Sequence, residues 1–274
     1  MRRRHIDDLG RLAFHAVIAA ALAFLLLPIA VAVVMSFDGR SFMGPFPPPS
    51  LSLQWYDKLF RNDYFLDGFK TSLVLAILAT LVATTVGLAA AVALDRYAFR
   101  GKEALGAFFL SPLIVPEVVI GFALVMLFGI LDITDGFTRL VGGHILISVP
   151  YTIRTALASL VGIRRSLTEA ALTLGANERQ AFRDITLPLA KTGLMSGAVF
   201  ALAFSFDDVP TSLFLYDLDS YTLPIALLGT MRASFNLTMA AGAVLLLGFT
   251  VAWILLLHRL VGLERIVGQG IYRN

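Results

Sequence analysis

The chain has 274 residues, of which 58% are hydrophobic and 15% are charged, against roughly 45–50% and about 25% in soluble proteins. A disordered tail and a nucleic-acid-binding domain with one membrane anchor are excluded, because apolar stretches recur along the whole length. Disulfide scaffolds and thiolate metal sites are excluded by the absence of cysteine. The net charge is only +3, so the positions of the basic residues are more informative than their sum. This composition indicates a membrane protein.

Six stretches are long and apolar enough to cross a bilayer, which takes about 20 residues of helix. They cover residues 13–36, 70–94, 104–131, 143–163, 193–216 and 238–258. The first stretch, at about 24 residues, exceeds the 7–15 apolar residues typical of a signal peptide, and we predict that it is a retained helix. We therefore predict an all-α membrane protein with six transmembrane helices, forming one domain over residues 1–274 with its core at about 65–260.

Lys and Arg residues are unevenly distributed between the two sets of loops. Fifteen lie in the N-terminal tail, in the loops 95–103 and 164–192 and in the C-terminal tail, whereas five lie in the opposite loops. Because basic residues accumulate on the cytoplasmic side of membrane proteins, we predict that both termini are cytoplasmic.

The basic loop 164–192 carries the most specific local signals in the chain. Ser166 followed three residues later by Glu169 forms a capping-box pattern that predicts the start of a helix. Gly175 suits the left-handed position that ends such a helix. The first half of the loop is therefore predicted to be a helix that ends in a tight glycine turn.

The second half of this loop repeats the pattern. Asn177 and Gln180 form another capping pair, and Pro188 is predicted to interrupt any continuous helix at that point. Apolar side chains that could be buried against another surface are Leu172, Leu174 and Phe182. The loop therefore has the properties of a docking surface, although an amphipathic surface hairpin without a partner has the same local pattern.

One spaced set of residues in this loop resembles a known motif. The set comprises Glu169, Ala170, Ala171, Gly175, Ile185, Leu187 and Pro188. It is similar, at every defined position, to the EAA motif of permease subunits of binding-protein-dependent ABC importers. Shorter matches resemble the spermidine/putrescine type of second permease: residues 53–56, 96–102, 111–112, 116–117, 150–151, 205–208 and 223–224.

The resemblance implies a type I ABC importer permease fold in the bacterial inner membrane. It implies that the 164–192 loop enters a groove on a cytoplasmic ATPase subunit and transmits the closure of that subunit to the membrane helices. The implied partners are a homologous permease, an ATPase dimer, a periplasmic or lipid-anchored solute-binding protein and membrane lipid, with no nucleic acid. ATP and Mg would be bound by the partner ATPase.

Sequence signals for catalysis are absent from the chain. No glycine-rich run ending in Gly-Lys-Ser/Thr is present to bind ATP phosphates, and no zinc-protease or nucleophile-elbow pattern occurs. The four histidines, His5, His15, His144 and His258, lie too far apart in the predicted topology for a metal cluster. We therefore predict a translocation subunit that has no cofactor and no ATPase site of its own.

Ionisable residues inside predicted spans are candidates for a substrate pathway, because a charge in a membrane costs about 2.5–3.5 kcal/mol. At a helical rise of about 1.5 Å per residue, Glu117 lies about 20 Å along span three. By the same rule Asp207 and Asp208 lie about 22 Å along span five, so all three acids could share one level. Arg154 lies near the middle of span four, and Tyr151 could line the same cavity.

Two interpretations of these charges remain open. The acids could attract a cationic solute such as a polyamine, or they could cap a helix before Pro210 and pair with Arg154. If Arg154 faces the same cavity, a zwitterion such as an amino acid derivative, an opine or an aminophosphonate fits equally well.

Two rival functions would not use an ATPase in the same way. A proton-coupled secondary transporter would use Glu117, Asp207 and Asp208 as a proton relay, but it predicts internal inverted symmetry, which we do not detect. A membrane scaffold that only anchors an ATPase as a sensor would leave the acids without a role.

Overall fold

The computed structural model describes residues 2–233 and 236–261, without the side chains of 2–10, 257, 258, 260 and 261. Arg265 and Arg273, which contribute to the predicted orientation, lie outside the described residues. Twelve α-helices are found in the described part: α1 Arg2–Met35, α2 Gln54–Phe60, α3 Asp63–Arg96, α4 Lys102–Leu110, α5 Glu117–Ile130, α6 Gly136–Val161, α7 Arg165–Thr173, α8 Glu178–Ala181, α9 Leu187–Asp207, α10 Ser212–Leu215, α11 Leu223–Ala233 and α12 Thr238–Val261. A 3-10 turn, Ser111–Leu113, follows α4, and a π-helix, Phe182–Thr186, joins α8 to α9.

The number of membrane-spanning helices agrees with the prediction. Among the described residues, five helices are long and apolar enough to cross a bilayer, and a sixth span is obtained when the bent pair Lys102–Leu113 and Glu117–Ile130 is counted as one. The two parts of that pair meet at 105°. Such a bend is what the prolines at 112 and 116 in this span predict, and Pro116, with φ −57° and ψ 132°, takes the chain out of the helical conformation immediately before α5.

The fifth span also ends earlier than predicted. It stops at Asp207, since Asp208 is extended at ψ 128°, and a short separate helix, α10, follows. Pro210 accounts for the break, because a proline has no N–H to continue the helix and also restricts the residue before it.

The chain divides into two compact units. The first comprises Met1–Asp63 and Gly229–Leu247, and the second comprises Tyr64–Leu228 and Gly248–Asn274. The single domain over residues 1–274 therefore stays a prediction.

The first unit is held together by a small apolar core and by polar contacts of Asp38 with Arg40 and Trp55, which we call the clasp. Met35, Trp55, Leu237 and Ala241 form the buried core. The Trp55 indole donates to the Asp38 carbonyl oxygen at 2.8 Å, and Arg40 forms an ion pair with the buried Asp38 carboxylate. The hydrogen bonds from Arg40 hold the pKa of Asp38 below its ordinary value.

The second unit is organised around close packing of α3, α6 and α9. A Cβ atom added at Gly193 of α9 would lie 2.7 Å from the carbonyl oxygen of Thr155 in α6, and one added at Gly197 would lie 3.0 Å from Thr152 Cα. Thr152 donates to the Ala83 carbonyl oxygen of α3 at 2.7 Å. Small residues therefore let the three helix backbones approach one another, as in other membrane bundles.

Candidate functional site

The first candidate site is the predicted loop 164–192, which joins α6 to α9 and includes the first turns of α9. We call it the coupling loop. Its first helix, α7, begins after Arg164, and no side chain caps its N-terminus. The predicted capping box of Ser166 and Glu169 was therefore wrong, because the helix starts at Arg165 and Ser166 already lies inside its first turn.

The end of α7 has the predicted glycine turn. Gly175 has φ +93°, its N–H donates to the Leu172 carbonyl oxygen at 3.0 Å, and the Ala176 N–H donates to the Ala171 carbonyl oxygen at 3.0 Å. This pair of hydrogen bonds is a Schellman motif. A Cβ atom at Gly175 would have no neighbour within 4 Å, so the backbone conformation, not lack of space, requires glycine here.

The second predicted cap is confirmed. The Asn177 side chain accepts from the Gln180 N–H at 2.9 Å, and the Gln180 side chain accepts from the Asn177 N–H at 2.8 Å. Residues 178–207 form one helical span, but the α-helix within it is interrupted just before Pro188, as predicted, by the π-helix Phe182–Thr186. The π-helix directly before α9 places Pro188 within the first turn of α9, where a missing N–H is tolerated.

The motif residues divide into an outer and an inner set. Glu169, Ala170, Gly175 and Pro188 are exposed, whereas Ala171, Ile185 and Leu187 are half-buried. Leu174 at the turn is 89% exposed and Leu172 is 41% exposed. Phe182 is half-buried, with the Arg96 guanidinium over its ring. The coupling loop is thus a surface knob whose tip is apolar.

The second candidate site is a pocket of about 340 Å³, called the acidic pocket below. It is lined by Glu117, Tyr151, Phe200, Ala203, Phe204, Asp207, Asp208 and Pro210. Four of the five residues predicted for the substrate pathway therefore lie around one cavity. Their common position results from the bend before α5, not from equal distances along straight helices, because Glu117 is the first residue after the 105° turn.

Glu117 and Tyr151 also line a second cavity, next to the bend between α4 and α5. That cavity is formed by residues 112–117 together with Ile147, Tyr151 and Phe204. The rings of Tyr151 and Phe204 are 4.8 Å apart at their centroids and form a wall shared by both cavities. The acidic pocket therefore combines carboxylates with aromatic faces, both of which attract organic cations.

Asp207 and Asp208 have different surroundings although they are neighbours in sequence. Asp207 is exposed at the end of α9, and the Thr250 hydroxyl donates to its carboxylate at 2.9 Å. The side chain of Asp208 has no exposed surface, and its carboxylate accepts from the Ser212 N–H at 2.8 Å and the Ser212 hydroxyl at 2.9 Å. Asp208 therefore caps the turn that leads into α10 and reaches the acidic pocket through its main chain.

Sequence reasoning did not find the histidine in this buried network. His144 of α6 is completely buried, and its two ring nitrogens lie 2.8 Å from Ser205 Oγ and 2.9 Å from Ser212 Oγ. Its Nε2 is 3.6 Å from Asp208 Oδ2. The network joins α6, α9 and α10, and the available signal was a lone histidine inside an apolar span.

Arg154 does not line the acidic pocket. Arg154 is exposed on α6, and it forms no ion pair with a carboxylate in the described part of the chain. Where side chains are described, no three His, Asp or Glu residues are grouped so that they could hold a metal ion.

Comparison with known proteins shows the family to which the chain belongs. Residues 83–262 match the family described as "Binding-protein-dependent transport system inner membrane component". The chain is 32% identical over 238 residues to the spermidine/putrescine transport system permease protein PotC of Haemophilus influenzae, which covers 85% of this chain and 90% of that protein. It is 29% identical over 253 residues to the putrescine transport system permease protein PotI of Escherichia coli, which covers 88% and 89%.

The fold is also similar to that of a solved transporter. A bacterial alginate ABC transporter, determined in complex with an alginate pentasaccharide-bound periplasmic protein, has a TM-score of 0.73 at 16% identity, covering 95% of each chain. With the family match extending over more than half of the sequence, the chain belongs to the binding-protein-dependent transport system inner membrane components and is a multi-pass permease subunit of an ABC importer.

Proposed function

We propose that the chain is the translocation subunit of an importer for a polyamine-like cation, driven by ATPase subunits that bind ATP and Mg. It pairs with a homologous permease and receives its solute from a periplasmic or lipid-anchored binding protein. The assembly lies in the bacterial inner membrane with both termini of this chain in the cytoplasm, as the excess of basic residues on one side supports. The chain itself contributes no ATPase site.

The exposed coupling loop is the observation that carries this proposal. A helix closed by a Schellman turn at Gly175 presents Glu169, Ala170 and the apolar tip Leu174 to a partner. Small side chains at the front permit close approach, and the exposed leucines supply apolar area to bury. Because the loop continues directly into α6 and α9, its displacement by an ATPase would rock the helices around the acidic pocket and open it alternately to each side.

The lining of the acidic pocket favours a cationic solute. Glu117 and Asp207 contribute carboxylates, Tyr151 and Phe204 contribute aromatic surface, and neither Lys nor Arg is among the lining residues. Cations are attracted to both kinds of group. The two relatives that transport spermidine or putrescine support the same solute class.

The alternative solutes have less support. An amino acid derivative, an opine or an aminophosphonate would need a basic partner in the pocket, and Arg154 is not in its lining. A proton-coupled transporter would use Asp208 in a relay, yet its carboxylate is buried and bonded to Ser212. Membership of an ABC importer family gives that mechanism no support either.

Uptake of radiolabelled putrescine into proteoliposomes tests the proposal. The purified complex should accumulate putrescine only with ATP, and uptake should survive collapse of a proton gradient. Glu169→Lys and Gly175→Asp should insert normally yet separate ATP hydrolysis from uptake, whereas Arg154→Gln should transport as the wild type does. Uptake without ATP, or full transport by both loop variants, would overturn the coupling role.

A further inference from the structure

The C-terminal end of α3 is attached to the coupling loop by one arginine. Arg96, the last residue of α3, donates from Nη2 to Oγ1 of Thr186, which is only 2% exposed. The guanidinium carbon of the same residue lies 5.5 Å from the centroid of the Phe182 ring. One side chain therefore makes both a hydrogen bond and a cation–π contact to this loop.

The two residues that Arg96 contacts are the first and the last of the π-helix Phe182–Thr186. π-helices are rare, and single π turns are concentrated at functional sites. This one lies where the coupling loop becomes the membrane helix α9. Arg96 thus spans the segment through which any displacement of the loop must pass on its way into α9.

The helix α3 has no covalent connection to the coupling loop, in contrast to α6 and α9. It leads instead through residues 97–101 into α4, and from there to the bend that carries Glu117. A second polar contact supports the same junction, because Arg165 Nη2 of α7 lies 3.4 Å from the Asp95 carbonyl oxygen. The coupling loop and the end of α3 are therefore in contact through two arginine side chains, Arg96 and Arg165.

We propose that Arg96 is the positioning residue that transmits displacement of the coupling loop to α3, and through α3 to the bend beside the acidic pocket. This inference rests on the proposed function, since it assigns the path of a motion that an ATPase drives. An arginine suits the role because its planar guanidinium can donate to Thr186 along its edge while its face lies on the Phe182 ring. Lysine can make either contact but not both in this geometry.

The test compares solute transported per ATP hydrolysed in the reconstituted complex. Arg96→Ala should lower this ratio roughly tenfold, the effect of losing one charged hydrogen bond, while basal ATP hydrolysis persists. Arg96→Lys should recover part of the ratio, and Thr186→Val should reproduce most of the loss without removing a charge. Arg100→Ala is the matched control, because Arg100 is exposed four residues further along the same turn.

The Arg96→Ala/Thr186→Val double variant adds a readout that a merely structural role would not produce. If the two residues act as one contact, the double variant should have the ratio of Arg96→Ala alone. The inference would be overturned if both single variants transported as much solute per ATP as the wild type, or if the losses added in the double variant. The proposed function would still hold in either case, provided that the wild type shows ATP-driven uptake. Absence of that wild-type uptake would instead contradict the proposed function. If Arg96→Ala does not assemble, Thr186→Val decides, because valine nearly preserves the volume of threonine.

Discussion

Gly175→Ala isolates the conformation of the coupling-loop turn from its chemistry. Gly175 has φ +93°, a region in which an L-residue with a Cβ atom is strained by about 1–2 kcal/mol. The added methyl group would meet no atom within 4 Å, so no steric clash contributes. The strain should shift the equilibrium away from the Schellman turn by roughly 5- to 30-fold, which is the largest factor by which the docking-competent fraction can fall.

The assay is titration of the ATPase subunit onto the purified permease pair, with the apparent dissociation constant as the readout. Gly175→Ala should raise that constant, by no more than roughly 5- to 30-fold, and Gly175→Asn should raise it less, because asparagine tolerates left-handed backbone. Gly162→Ala is the matched control in the same loop. Gly162 has φ −74°, and a Cβ atom there would be 3.5 Å from the Ser159 carbonyl oxygen, an ordinary contact.

A second control separates strain in the loop from strain elsewhere. Gly101 precedes α4 with φ +84° and an empty Cβ position, so Gly101→Ala carries a similar strain outside the motif. It should leave the dissociation constant unchanged. If Gly175→Ala binds the ATPase as tightly as the wild type, the turn conformation is not what the partner recognises and the reasoning is refuted.

Three further predictions concern the acidic pocket, the buried network and the clasp of the first unit. Glu117→Gln and Asp207→Asn should each raise the KM for putrescine uptake roughly tenfold with unchanged transport per ATP; an unchanged KM in both would exclude them from solute binding. His144→Ala removes the buried imidazole that bonds the Ser205 and Ser212 hydroxyls and should lower the free energy of unfolding by about 1–3 kcal/mol, read as a lower melting temperature. Arg40 lowers the pKa of Asp38, so the ion pair stabilises the clasp above the ordinary carboxyl range and is lost as the pH falls through the lowered value. Hydrogen exchange of the Trp55 indole should rise across that acidic range in the wild type, and should be insensitive to it in Asp38→Asn.

The coupling loop was largely predictable because its signals are local. Gly175 requires a left-handed turn, and Asn177 with Gln180 completes a reciprocal cap within four residues. Such hydrogen bonds join residues that are close in sequence, so a short sequence pattern contains both partners. The capping pattern at Ser166 was wrong for the same reason, since it expresses only a local preference and the observed N-cap, Arg164, lies two residues earlier.

The acidic pocket was predictable only in part, because its geometry depends on how helices break and pack. Glu117 and Asp207 were found from the cost of charge in a membrane, but the 105° bend that brings Glu117 to the cavity follows from the backbone at Pro116. The burial of Asp208 against His144 joins residues more than sixty positions apart. No local pattern contains such a pairing, and composition cannot distinguish the buried carboxylate from the exposed one beside it.

Binding of an ATPase subunit to the coupling loop is tested most directly by thiol labelling. The chain is well suited to this method because it contains no cysteine. Leu174→Cys places a single thiol at the 89%-exposed tip, and Leu218→Cys places one at a 93%-exposed position in the turn near the opposite end of α6. In membranes that contain the permease pair, maleimide should label both thiols. Adding the ATPase subunit should protect the thiol at 174 and leave the one at 218 reactive. Equal labelling of position 174 with and without the ATPase would contradict the account.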